Sequence, residues 1–115
     1  MTESLIYHVC RRDELEAARG SGSYGGSSQD RADGFIHFSS AAQVVASVAR
    51  HRAGQDGLAI VEVDAARLSA ALRWEPSRGG ALFPHLYGAL PFAAITRVAD
   101  LPLGPAGHVF PWGLA

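Results

Sequence analysis

The chain has 115 residues, 48% of them hydrophobic, with a formal net charge of -1 and one cysteine. That length fits a single domain able to bury roughly two-thirds of its unfolded surface, and the balanced charge offers no strong field toward nucleic acid or a membrane. Cys10 has no second cysteine for an internal disulfide, excludes multi-cysteine zinc patterns and fits a reducing compartment.

The opening segment lacks the long apolar stretch of a signal peptide. No apolar run approaches the ~20 residues needed to span a bilayer, so a cytoplasmic protein without a membrane partner is expected. Leu5 to Cys10 predicts a first strand, with Leu5, Tyr7 and Val9 on one face and Ile6, His8 and Cys10 on the other. Arg12 to Arg19 predicts a short helix with Leu15 and Ala18 inward and Gly20 as its C-cap. A polar loop is expected to Asp33, then a short buried strand from Gly34 to Phe38. Ser40-Ala41-Ala42-Gln43 has the capping-box pattern and predicts a helix to about Arg52, with Val44, Val45 and Val48 as its apolar stripe.

Gly57 to Val63 is apolar and β-branched and predicts a strand. Asp64 to Leu68 reads as a helical turn, Ala71 to Glu75 as a strand, and Pro76 to Gly80 as a turn. Leu82 to Tyr87 is extended, because the residue before Pro84 avoids helix. Ile95 to Leu101 predicts a last strand, followed by an irregular tail carrying Pro102, Pro105 and Pro111. Strands and helices without regular βαβ repetition imply an α+β fold, a mixed or antiparallel sheet with two main helices.

The run from Gly20 to Gly25 matches G-x-G-x-x-G, but it follows a helix and leads into a loop, the reverse of a dinucleotide fingerprint. A flexible loop is one reading; a lid with Tyr24 as its aromatic contact is the other. His37 ends an apolar strand, and Ser39 and Ser40 open a helix, a junction whose N–H groups suit an anion. The bland alternative is a satisfied core histidine above two capping serines. A histidine followed two residues later by Ser is similar to the 2H phosphoesterase motif, but His85-Leu86-Tyr87 does not supply the required second copy.

His85-Leu86-Tyr87-Gly88 is dense in functional side chains, and Trp74-Glu75 pairs an indole with a carboxylate. A packed turn, an edge tryptophan and a solvated Glu75 are the structural alternatives. No HExxH occurs and the histidine spacings are long, so no metal is expected. His51 and His108 read as surface or tail residues. Arg11, Arg12, Arg31 and Arg78 flank these segments and could meet phosphates; solvated surface charge is the alternative.

Ile6-Tyr7-His8-Val9, Asp33 to Ser40 with Gln43-Val44, Arg73-Trp74-Glu75 and Phe83 to Gly88 together carry a resemblance over nearly the whole chain. They look like the signature blocks of the bacterial family named domain of unknown function 952. That family in turn resembles, more distantly, the ADP-ribosyltransferase superfamily and its RNA 2′-phosphotransferase branch. The resemblance implies an ADP-ribosyltransferase-like split sheet and NAD as cofactor. His8 would hold the NAD ribose and His37 would stand beside the nicotinamide. His85, Tyr87 and Glu75 are the candidates for a third position.

Cleavage of the ribose–nicotinamide bond needs a held sugar, a stabilised cation and an oriented nucleophile. The expected catalytic group is therefore His37, Glu75 and His85. His8, Ser39, Ser40, Tyr24 and Tyr87 are expected to bind the nucleotide, with RNA or protein as acceptor. Fold analogy alone does not establish chemistry, so two rivals stand: a non-catalytic ligand-binding or interaction module, and a metal-dependent or phosphoesterase-type hydrolase.

Overall fold

A computed structural model describes residues 4–68 and 71–114; the Arg78 side chain, a candidate phosphate contact, lies outside the description. Strand β1 (Leu5–Arg11) pairs antiparallel with β4 (Leu58–Asp64), and β4 pairs antiparallel with β8 (Ile95–Leu101). The central strand β4 is buried along nearly its whole length, which is why it reads as a continuous apolar run. A second antiparallel sheet has the order β3 (Ile36–His37), β6 (Leu82–Leu86) and β5 (Leu72–Pro76).

The two sheets touch where Tyr7 and Ser39 exchange backbone N–H···O bonds of 2.8 Å each. Short ribbons complete the sheet structure. Strand β2 (Ser23–Tyr24) pairs with β7 (Leu90–Pro91), and β9 (Leu103–Gly104) pairs with β10 (Gly107–His108). The described pairings are all antiparallel, and the tail thus carries a hairpin where irregular chain was expected.

Alternation along β1 divides the core. Ile6 and Cys10 join Leu15, Tyr24, Ile36, Phe38, Val61 and Val63 on one side. Tyr7 turns to the other side, with Ile60, Leu101, Val44 and Val48. Burial of each such side chain contributes roughly 1.5–3 kcal/mol.

Among the described residues three short α-helices replace the two expected. Helix α1 (Arg12–Ala18) buries Leu15 and passes into a 3-10 turn, Arg19–Ser21, capped by Gly22 rather than Gly20. Helix α2 (Ser28–Asp33) occupies the stretch read as polar loop. Its start is a complete capping box: the Ser27 hydroxyl accepts from the Asp30 N–H and the Asp30 carboxylate accepts from the Ser27 N–H. Helix α3 (Val44–His51) begins four residues later than Ser40. Only one arm of the expected box is present there, the Ser40 N–H donating to Gln43 Oε1 at 3.0 Å. No described helix is long and apolar enough to cross a membrane.

Candidate functional site

The site is built outward from α2. Its cap fixes the Asp30 carboxylate, and Gly34, at φ +87° beyond the helix end, turns the chain back so that β3 runs beside it. His37 thereby meets Asp30 twice, through its backbone N–H at 3.2 Å and its Nδ1 at 2.5 Å from Oδ1. Its Nε2 reaches Asp33 Oδ2 at 3.0 Å. A carboxylate only accepts, so both side-chain bonds form together only on the imidazolium ring.

Burial alone would push the Asp30 carboxyl up. The His37 hydrogen bond, the nearby His8 ring and the backbone N–H groups of Ser27 and His37 outweigh it and bring Asp30 to about 2.

The β3–β6 register places His85 directly across from His37. Their rings meet edge to face, with centroids 5.7 Å apart. Phe35 stacks on His85 at 4.1 Å and contacts His37 at 4.5 Å and Tyr87 at 5.2 Å. Across the β5–β6 pair, Glu75 Oε1 accepts from His85 Nδ1 at 2.8 Å and from the Tyr87 hydroxyl at 2.6 Å. Hydrogen bonds from Tyr87 and then His85 hold the Glu75 carboxyl below its usual range, and the same bond to Glu75 raises the Tyr87 hydroxyl. Four sequence-derived candidates, His37, Glu75, His85 and Tyr87, therefore form one cluster.

The other four lie outside this cluster, although His8 and Ser39 border the same cleft. His8 was expected to hold a ligand, but it is only 3% exposed and both its nitrogens are engaged. Nδ1 donates to the His37 carbonyl at 2.6 Å, and Nε2 faces the Tyr24 hydroxyl at 3.0 Å. Burial lowers the His8 imidazole, against Asp30 and the His37 carbonyl, which raise it. The neutral ring satisfies both contacts, with Tyr24 donating to Nε2. His8 is thus a strut beneath His37.

Tyr24 was expected in a lid. It is 1% exposed, pairs with β7 through its backbone and belongs to the core. Ser39 is committed to the bridge with Tyr7 and to the Ser47 hydroxyl at 3.2 Å. Ser40 is buried and turns its N–H to Gln43. Neither serine joins the His37–His85 cluster.

A cleft of about 960 Å³ opens over this cluster, bordered by Asp30, Asp33, Phe35, His37 and His85, and on the α3 side by Arg50, His51 and Arg52. Arg11 and Arg12 instead pair with Asp13 and with Asp100 and Glu16 at the surface. Arg31 borders a separate hollow of about 260 Å³ beside Gly25 and Gly34. Among the described residues no group of three or more His, Cys, Asp and Glu side chains has metal-holding geometry.

Asp30, Asp33 and Phe35 were absent from the candidates. The first could have been found: Ser27 followed by Asp30 is a capping pattern at a helix start.

Fold and cleft together define a small α+β protein in which two antiparallel sheets meet beside a pair of carboxylate-held histidines. The chain belongs to the family described as "Protein of unknown function (DUF952)", whose model matches residues 9–98. It is similar to protein CC0527 from Caulobacter crescentus. The crystal structure of CC0527 shares 45% identity over 91% of this chain and 92% of that one, with a TM-score of 0.87. Its solution NMR structure shares 45% identity over 90% of each chain, with a TM-score of 0.79. Among curated proteins nothing matches this sequence.

Proposed function

We propose that the cleft binds NAD or a related nucleotide and transfers its ADP-ribosyl group to an RNA or protein acceptor, or moves a 2′-phosphate from RNA onto the nucleotide. The observation that carries this reading is the cross-strand pair of His37 and His85, each fixed by carboxylates beside the Phe35 ring. The cleft volume of about 960 Å³ falls within the range of roughly 300–1,000 Å³ usual for ligand and cofactor sites. Phe35, which borders the cleft, offers an aromatic face for a base or nicotinamide ring. Arg50 and Arg52 supply cations for a pyrophosphate on the α3 side. Asp30 and Asp33 put negative charge near His37, where a ribosyl cation forming in the transition state would gain from it. The resemblance of the signature blocks to ADP-ribosyltransferases points the same way.

The test is calorimetric titration of the purified chain with NAD and ADP-ribose. Binding that Phe35→Leu weakens about 10–100-fold, the usual worth of one aromatic stack on a base, supports the reading. Absence of binding at millimolar nucleotide removes it. A non-catalytic binding module is the second reading, favoured by the engagement of both His37 nitrogens by protein carboxylates. It predicts binding without turnover.

A further inference from the structure

One ring nitrogen of the cluster stands apart. His85 Nδ1 is committed to Glu75 Oε1 at 2.8 Å, and that oxygen also takes the Tyr87 hydroxyl at 2.6 Å. Because an ionised carboxylate only accepts, the neutral ring carries its proton on Nδ1 and a lone pair on Nε2. Among the described residues Nε2 has no protein partner, and the ring borders the cleft. Phe35 against one face and His37 at the edge hold the ring in place. His37 differs, since both its nitrogens are occupied.

We infer that His85 is the general base of this cleft and that the acceptor is a hydroxyl. The inference deepens the nucleotide reading and rests on it. The acceptor O–H gives its proton to Nε2 as its oxygen forms a bond to the anomeric carbon of the ribose. The bond from that carbon to the nicotinamide nitrogen breaks, and its electron pair leaves on nicotinamide, which departs neutral. The imidazolium faces Glu75 until it returns the proton to solvent.

The acceptor class follows from what an imidazole–carboxylate pair is useful for. Carboxylate and phosphate acceptors are nucleophilic without a base. A guanidinium stays protonated to above pH ~12, beyond the reach of an imidazole. A hydroxyl, of water or of an alcohol, gains from a positioned imidazole. Glu75 and Tyr87 are positioning residues that act through His85. The other charged or titratable groups around the ring are Arg73 opposite it on β5, His37 on β3, and Asp30 and Asp33 behind His37 on α2.

The experiment follows nicotinamide release from NAD across pH, with and without methanol, while calorimetry measures NAD affinity separately. The purified chain should form ADP-ribose in water or its O-methyl product with methanol, which tells a water acceptor from an alcohol. Its rate should fall on the acid side. His85→Asn should lower the rate about 10²–10⁴-fold, far more than it weakens NAD binding, and remove the acid limb. Glu75→Gln should slow release more than it weakens NAD binding, because the His85 ring loses the acceptor that fixes its Nδ1 proton. Amide NMR spectra check the fold of each variant. If His85→Asn unfolds, Tyr87→Phe, at a 43% exposed position, carries the test through the same pH profile. NAD binding without release by wild type, or variants matching wild type in rate and profile, overturns the base assignment and leaves the nucleotide reading standing. No NAD binding by wild type overturns both.

Discussion

Asp30 holds His37 from two directions, accepting from its backbone N–H at 3.2 Å and from its Nδ1 through the same Oδ1 at 2.5 Å. Its other oxygen accepts the Ser27 N–H at 2.8 Å, closing the cap of α2. One buried carboxylate therefore joins helix start, strand and imidazole. His8 leans on the same unit, with its Nε2 3.6 Å from Asp30 Oδ2.

The pH dependence of stability follows from that carboxylate. Its folded-state pKa, about 2, lies below the ordinary 3.8. A depressed carboxyl contributes stability that is present above the unfolded value and lost as pH falls through the folded one. The difference corresponds to about 2 kcal/mol. Urea unfolding between pH 5 and pH 2 should show this loss, and Asp30→Asn should be less stable at pH 7 and flatter across the window. An unchanged slope in Asp30→Asn would assign the acid sensitivity elsewhere.

Gly26 tests how closely α2 must seat. It adopts φ +97°, and an added Cβ would lie 2.8 Å from Asp30 Cβ and 3.2 Å from Ile36 Cγ1. Neither neighbour can move without disturbing the carboxylate or the core. Gly26→Ala should cost about 1–3 kcal/mol in chemical denaturation and shift the His37 ring signals in NMR. Wild-type stability would mean that the cap tolerates displacement of Asp30.

Arg97 tests the scaffold apart from the cleft. Glu62, 4% exposed, accepts from the Tyr7 hydroxyl at 3.0 Å, the Thr96 hydroxyl at 2.6 Å and Arg97 Nε at 3.0 Å. The Arg97 guanidinium also lies 4.2 Å from the Trp112 ring centre, tying down the tail. Arg97→Ala leaves a buried carboxylate short of its cation and should lower stability in thermal or urea unfolding. Nucleotide affinity should stay at the wild-type value, since neither Glu62 nor Arg97 borders the cleft.

Where periodicity decides structure, the sequence was readable. The Leu5-to-Cys10 alternation correctly sorted Ile6 and Cys10 from Tyr7, and the Ile95-to-Leu101 strand has its expected bounds. Residues 28–33 were missed because a two-turn helix has no apolar stripe to detect, only a cap. The Ser40 capping pattern misplaced the start of α3, because Ser39 and Ser40 are drawn into contacts with Tyr7 and Gln43 before the helix begins. Tyr24 looked like a loop aromatic among glycines, yet the β2–β7 pairing carries it into the core.

By itself the sequence determined the longer strands, the two core faces, the resemblance to the family and the chemistry-bearing residues of the β3 and β6 segments. His8, His37 and His85 all border the cleft, and tertiary structure alone decided which of their ring nitrogens are taken by protein partners. In the sequence His37 stood out at a strand-to-helix junction and His8 lay inside the first strand, with both expected at the site. Packing buried His8 against Tyr24 and left His37 across from His85. Side-chain type sets what a group can do, but solvent access and the partners of each nitrogen come from segments far apart along the chain, and only folding brings those together.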